Sequence, residues 1–279
     1  MLDLYNEVSV KTSKVITRSY STSFSKAIGF LKKDIRDAIF SIYGFVRLAD
    51  EIVDTFHDFD KEGLINRFER NYYEAFEEGI SLNPVLNAFR LTVEKYNIDD
   101  DLVQAFLKSM KTDLVKSEHI SKAETDEYIY GSAEVVGLMC LKVFTGGDDD
   151  LFTELSMPAK KLGAAFQKVN FLRDIRNDTE DLNRQYFYNT IGKQFDESVK
   201  MEIIRDVEID FSSSLSGLKR LPHNSRLGVL IAYYYYKKLL SIIRKTPAEK
   251  LLQKRIRVPD AVKMILLIKA YLINRLNLL

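Results

Sequence analysis

Asp-Ile-Arg-Asp-Ala-Ile-Phe-Ser-Ile-Tyr-Gly-Phe-Val-Arg-Leu-Ala-Asp-Glu-Ile-Val-Asp (34–54) is the stretch on which the fold reading turns. Ile35, Ala38, Ile39, Ile42, Phe45, Val46, Ala49, Ile52 and Val53 recur at three- and four-residue steps, the period of a helix with one buried face. Asp50 and Asp54 are four residues apart, so they sit about 40° apart around that helix and about 6 Å apart along it, on a common face. Like charges at this spacing cost an isolated helix about 0.2–0.5 kcal/mol. The arrangement recurs at Asp174 and Asp178 in Asn-Phe-Leu-Arg-Asp-Ile-Arg-Asn-Asp (170–178). Two such faces in one chain point to a cation held between them.

Outward from 34–54 the same periodicity fills roughly 3–20, 61–78, 84–96, 99–115, 123–144, 151–181, 196–218, 224–245 and 259–277. The breaks are short: Ser81-Leu82-Asn83-Pro84, Asn97-Ile98-Asp99, Gly146-Gly147-Asp148, Thr246-Pro247 and Val258-Pro259. Pro84, Pro247 and Pro259 suit the first turn of a helix, and Ser81 or Asn83 suits a cap. No alternating strand series and no Asn-Gly hairpin signal interrupts the pattern. The expectation is an all-α bundle in one domain, residues 1–279.

Composition narrows the function. Lys and Arg total 41 against 40 acidic residues, a net charge of +1. Nucleic-acid binders concentrate basic charge, so none is expected as a partner, and any anion site is local. The lone Cys140 excludes an intrachain disulfide framework and a Cys-rich zinc site, and a reducing cytoplasm is the expected compartment. The first residues lack a basic start and apolar run of the secretory kind. No uninterrupted run of about 18 apolar residues suggests a membrane span. Residues 261–279 come nearest, but Lys263, Lys269 and Arg275 punctuate them, and they read as a core-packing helix with a peripheral membrane contact as the alternative.

Around the acidic pairs the sequence is apolar, with Phe40, Phe45, Ile52, Val53, Ala164, Ala165, Phe166, Val169, Phe171 and Leu172 close by. Arg47 precedes Asp50 by three residues, and Arg173 stands next to Asp174. Gln167, Asn170, Asp174 and Asp178 step by three, four and four along one face. Oxygen donors without His or Cys suit a hard ion such as Mg²⁺. Neighbouring guanidinium groups suit an oxyanion shared with it. A single acidic pair beside an Arg is ordinarily a solvated helix face; the repetition favours a site. Glu51, Glu180 and Asp181 read as surface charge or as support behind the acidic pairs. The run Ser19-Tyr20-Ser21-Thr22-Ser23-Phe24 reads either as a capping turn or as a hydroxyl-rich lip for phosphate oxygens. Tyr233 to Tyr236 and Arg255-Ile256-Arg257 read on composition as aromatic core and basic surface. His57, His119 and His223 lack ligand spacing and receive no chemistry.

These motifs, in this order, resemble the head-to-head trans-isoprenyl diphosphate synthases: squalene, dehydrosqualene and phytoene synthases. The resemblance spans nearly the whole chain, through Ser21 to Phe24, Tyr43 to Asp54, Tyr128-Ile129-Tyr130 to Gly137, Gln167 to Asp178, and Arg184-Gln185-Tyr186-Phe187. It implies an isoprenoid-synthase helical bundle around a central apolar cavity. It further implies Asp50, Asp54, Asn170, Asp174 and Asp178 as the Mg²⁺ set. Ser21, Thr22, Ser23, Phe24, Tyr43, Arg47, Gln167 and Arg173 match substrate- and diphosphate-contacting positions, and Tyr236 and Arg255 match later phosphate contacts. Tyr128 and Gly137 match the helix lining the prenyl tunnel. Tyr20 stands where relatives often have His, and Tyr188-Asn189 where they continue to Pro.

The bacterial phytoene synthase branch looks most similar. The implied reaction is Mg²⁺-dependent condensation of two geranylgeranyl diphosphates to phytoene through a cyclopropyl diphosphate. NADPH is not expected, and Phe24, Tyr43 and Phe45 are the candidates for facing the cation. Alternatives are dehydrosqualene or squalene formation from farnesyl diphosphate, or a non-catalytic assembly protein on the same scaffold. Head-to-tail prenyl transfer would need Asp-Asp-x-x-Asp motifs, which neither acidic pair provides.

Overall fold

The computed structural model describes residues 1–116, 118–180, 184–188 and 195–278, without the side chains of Thr22, Ser23 and Glu180. Among these residues the chain is helical throughout: α1 Leu2–Tyr20, α2 Thr22–Ile28, α3 Lys33–Asp54, α4 Lys61–Glu77, α5 Pro84–Tyr96, α6 Asp100–Val115, α7 Lys122–Ile129, α8 Val135–Thr145, α9 Asp149–Glu180, α10 Glu197–Arg220, α11 His223–Lys245, α12 Ala248–Leu251 and α13 Asp260–Leu276. The described residues contain no strand; Glu118 and Gln185 form an isolated bridge.

Local chemistry sets the boundaries. Asn83 caps α5, its side chain accepting from the Val85 amide at 2.9 Å, with Pro84 in the first turn where its missing N–H costs nothing. Asn97 ends α5 in the left-handed conformation, φ 49°. Asp60 and Asp196 cap α4 and α10. Pro247 and Pro259 stand one residue before α12 and α13, at the cap rather than in the first turn. The periodic run 123–144 is two helices, because a π-helical turn, Tyr130–Glu134, separates α7 from α8. Gly131 within it lies against α6; a Cβ there would stand 2.7 Å from that of Ser109.

Two apolar clusters hold the bundle. In the first, Phe45 of α3 is fully buried and stacks on Phe89 of α5 at 4.0 Å and Phe68 of α4 at 5.2 Å. Burying an aromatic of this size contributes about 1.5–3 kcal/mol. In the second, α9, α10 and α11 enclose Leu172, Val207, Phe211, Leu230 and Leu239. Helix α1 closes against α3 and α5 through Ser9, Ser13 and Thr17, all fully buried, with Asn87 of α5 donating to Ser9 at 3.2 Å, and Gly44 admits Ser13 so closely that a Cβ would lie 2.8 Å away.

Three expectations change or narrow. Phe45 belongs to the solid first cluster and does not line the central cavity, because its ring faces α4, α5 and α6. Of the two readings of Glu51, surface charge falls away: it is buried and ion-paired to Arg47, which lies beside Asp50. Helix α13 packs on the second cluster with one face only, through Val262, Leu267, Ala270 and Ile273, and leaves its other face outside the core.

Candidate active site

Between the two clusters lies an apolar cavity of about 430 Å³, lined by members of both, among them Ile39, Leu141 and Leu155 from the first and Ala27, Phe171 and Leu218 from the second. Its polar groups include Asp50 and Asp54 of α3 and Asn170, Asp174 and Asp178 of α9. The two acidic faces therefore meet across one space. One residue ties them: the Arg184 amide donates to the Asp178 carbonyl at 2.7 Å, and its guanidinium donates to Asp54 at 2.6 Å.

Among the described residues five carboxylates line the cavity, Asp113 being the fifth, against two guanidinium groups, Arg173 and Arg184. The excess shows in the acids. Burial first, then the neighbouring Asp54, raises Asp50 from the ordinary carboxylate range to about 7. Burial, then Asp174 and Asp54, raises Asp178 to about 8. Asp113 is likewise raised by burial to about 7. Asp50 lies deep in the bundle yet keeps 31% of its side-chain surface open, because it faces the cavity.

Guanidinium groups hold the others. Arg173 grips its neighbour Asp174 through Nε at 3.0 Å, and Arg255 reaches the same carboxylate at 2.6 Å from the loop before α13. Arg47 pairs with Glu51, lies 3.8 Å from Asp50 and packs 4.3 Å above the Tyr20 ring. Tyr236 of α11 donates to Asn170 Oδ1 at 3.2 Å and stacks on Phe166 at 4.1 Å. Tyr43 is raised by burial to about 12, so it stays a neutral phenol, within hydrogen-bonding reach of Ser21. Phe24 packs on it at 4.9 Å. Gln167 reaches Ser132 of the π-turn at 3.5 Å.

The structure thus brings Ser21, Phe24, Tyr43, Asp50, Asp54, Tyr128, Gln167, Asn170, Arg173, Asp174, Asp178 and Tyr236 to one cavity, with Arg47 and Arg255 touching its acids. Ser21 also caps α2, its hydroxyl accepting from the Phe24 amide at 3.3 Å, so both readings of the hydroxyl run meet in one residue. The side chains of Thr22 and Ser23 lie outside the described residues, as do Asp181 and the Glu180 side chain. Tyr236 packs against the second cluster and Arg255 is exposed, as composition suggests, and both also reach polar groups of the cavity, Asn170 and Asp174.

Sequence reasoning did not single out Asp113 or Tyr186. Tyr128 donates to Asp113 at 2.7 Å, and Arg184 lies 3.8 Å from Asp113 and 3.1 Å from the Tyr186 hydroxyl. Asp113 has no acidic neighbour three or four residues away along its helix, so nothing local marks it. The Arg184-to-Phe187 match was the available signal for the others.

As a cation site the donors fit in kind. They are all oxygen, and the raised carboxylates hold negative charge that a divalent ion would relieve. Among the described residues no three acidic, His or Cys side chains converge on one point, since Arg184, Arg173 and Arg255 occupy Asp54 and Asp174.

The sequence profile of the squalene/phytoene synthase family matches residues 17–261. This chain belongs to that family. Its members are head-to-head prenyl synthases, and the chain is accordingly a prenyltransferase. It is 26% identical over 254 residues to 4,4'-diapophytoene synthase of Staphylococcus haemolyticus, covering 82% of this chain and 85% of that one. It is also 26% identical over 274 residues to chloroplastic phytoene synthase 2 of Oryza sativa subsp. japonica, covering 92% and 68%. Its fold is similar to the crystal structure of a dehydrosqualene synthase in complex with ligand, with a TM-score of 0.83, 22% identity, and coverage of 95% and 96%.

Proposed function

We propose that this squalene/phytoene synthase family member condenses two geranylgeranyl diphosphates head to head, releasing diphosphate and giving phytoene for carotenoid formation. The observation that carries the reading is the five-carboxylate wall facing across one end of an apolar cavity, with arginines at its edge.

Asp50, Asp54, Asn170, Asp174 and Asp178 would hold Mg²⁺, which supplies charge neutralisation for a departing diphosphate. Arg173 and Arg255, now spent on Asp174, would turn to the phosphate oxygens, which guanidinium groups bind in pairs. Ser21 and the neutral Tyr43 phenol donate hydrogen bonds at the same end. The C–O bond of one substrate breaks with its electron pair leaving on diphosphate, and the alkene of the second substrate attacks the allylic cation. Proton loss closes the cyclopropane; a second ionisation, rearrangement and proton loss give the triene. Apolar walls keep water from both cations, and Phe24 and Tyr43 offer ring faces to them.

A second reading has a specific support. The diapophytoene synthase relative and the dehydrosqualene synthase fold match favour farnesyl diphosphate as substrate. Incubation of the purified chain with each diphosphate and Mg²⁺, with and without NADPH, followed by identification of the hydrocarbon, separates them. Phytoene without NADPH is expected. Dehydrosqualene would move the assignment to the shorter substrate, squalene formed only with NADPH would overturn it, and tight diphosphate binding without product would indicate a non-catalytic relative.

A further inference from the structure

Helix α13 presents an unpartnered apolar face. Met264, Ile265, Ile268, Tyr271, Leu272 and Leu276 follow one side of the helix at one-, three- and four-residue steps, and each is between 45 and 63% exposed. Six large apolar side chains on one helix form a contiguous stripe rather than the scattered exposure ordinary at a protein surface. The opposite side carries the buried Ala270 and Asn274, the latter accepting a hydrogen bond from Arg226 of α11 at 2.9 Å, so the stripe faces away from the bundle.

The charge around this face is one-sided. Helix α13 carries Lys263, Lys269 and Arg275 against one acid, Asp260, although the whole protein balances 41 against 40. Lys269 sits over the Tyr234 ring at 4.7 Å, anchoring a positive charge beside Ile265 and Leu276, and Arg275 is in the last turn. A stripe of this kind bordered by basic residues is the pattern of a helix that lies in a lipid interface, with its charges toward anionic headgroups. No helix among the described residues is long and apolar enough to cross a membrane, so in-plane contact is the arrangement available.

A second copy fits the face less well. A two-fold contact would set each basic surface against its own duplicate, and like charges would oppose it. We infer that α13 docks this protein on an anionic bilayer surface, its apolar stripe entering the headgroup boundary. This inference is independent of which prenyl chain the cavity accepts.

The test is co-sedimentation of the full chain with phosphatidylcholine vesicles, with and without about 30 mol% phosphatidylglycerol. The Ile268→Ser/Leu272→Ser double variant and Lys269→Glu are compared, with circular dichroism and melting temperature confirming that each stays folded. The wild-type chain should bind the anionic vesicles, release as salt rises from about 0.05 to about 0.5 M, and lose roughly tenfold in affinity in the double variant. Absence of vesicle binding, or equal binding by the double variant, overturns the proposal. So does a wild-type dimer in sedimentation equilibrium that the double variant makes monomeric, which would assign the face to a second copy. None of these readouts depends on turnover.

Discussion

On α3, Asp54 is neutralised from inside: Arg184, 7% exposed, bonds it at 2.6 Å and lies 3.8 Å from Asp113, while Asp50 is left to burial and rises to about 7. On α9, Asp174 is neutralised from the rim: Arg255, 53% exposed, bonds it at 2.6 Å beside Arg173, while Asp178 rises to about 8. Each helix keeps one carboxylate paired and one under electrostatic stress. The difference lies in the clamp. A buried guanidinium shared by several groups is part of the fold, because leaving its partners unpaired in low dielectric is costly. A solvent-facing one is exchangeable, because water and screening have already discounted its ion pair.

The largest expected effect comes from erasing the stressed member of a pair. Asp50→Asn should lower kcat by about 10³-fold or more while far-UV circular dichroism stays unchanged, since a lost charge partner to the departing diphosphate is felt mainly in the transition state. Wild-type turnover in this variant would remove Asp50 from the chemistry.

The two clamps are then separated by stability. Arg184→Met should cost about 3–5 kcal/mol in urea unfolding, because it strands Asp54 and Asp113. Arg255→Met should cost about 0–1 kcal/mol and show instead as weaker diphosphate binding. Equal losses in the two variants would erase the inside-versus-rim distinction.

Acidity sharpens it further. Asp50 and Asp178 are raised above their unfolded values, so the stability they contribute is complete near pH 4 and is lost as pH rises through about 7 and about 8. In chelator-treated protein the melting temperature should therefore fall between about pH 5 and 8, and added Mg²⁺ should restore it most at the alkaline end. A melting temperature flat across this window would mean that the carboxylates are not stressed. A small effect is expected at Tyr236→Phe, which removes the 3.2 Å bond to Asn170 at a cost of about 0.5–1.5 kcal/mol, read by thermal denaturation.

Much of this was legible before folding. The three-and-four steps of 34–54 set α3, and the four-residue spacing put Asp50 with Asp54 and Asp174 with Asp178, because helix geometry fixes which neighbours along the chain share a face. The hydroxyl run before α3 was legible in two ways, and Ser21 takes both. Asp113 was not legible, since its partners Tyr128 and Arg184 come from other helices and loops. Nor was the fate of Phe45, whose helical face is apolar on both the core side and the cavity side. The exposed stripe of α13 looked like core for the same reason: an apolar period shows that a face exists and is silent about what covers it.

The sequence by itself determined the helices, their caps and the two acidic faces, all of which depend on contacts within a few residues. Only the tertiary structure decided that the faces oppose each other across a cavity, that Arg184 and Arg255 clamp them from opposite sides, and that α13 keeps its apolar side outward. Those facts depend on the packing of segments 48 to 130 residues apart, where burial and charge pairing act through space rather than along the chain.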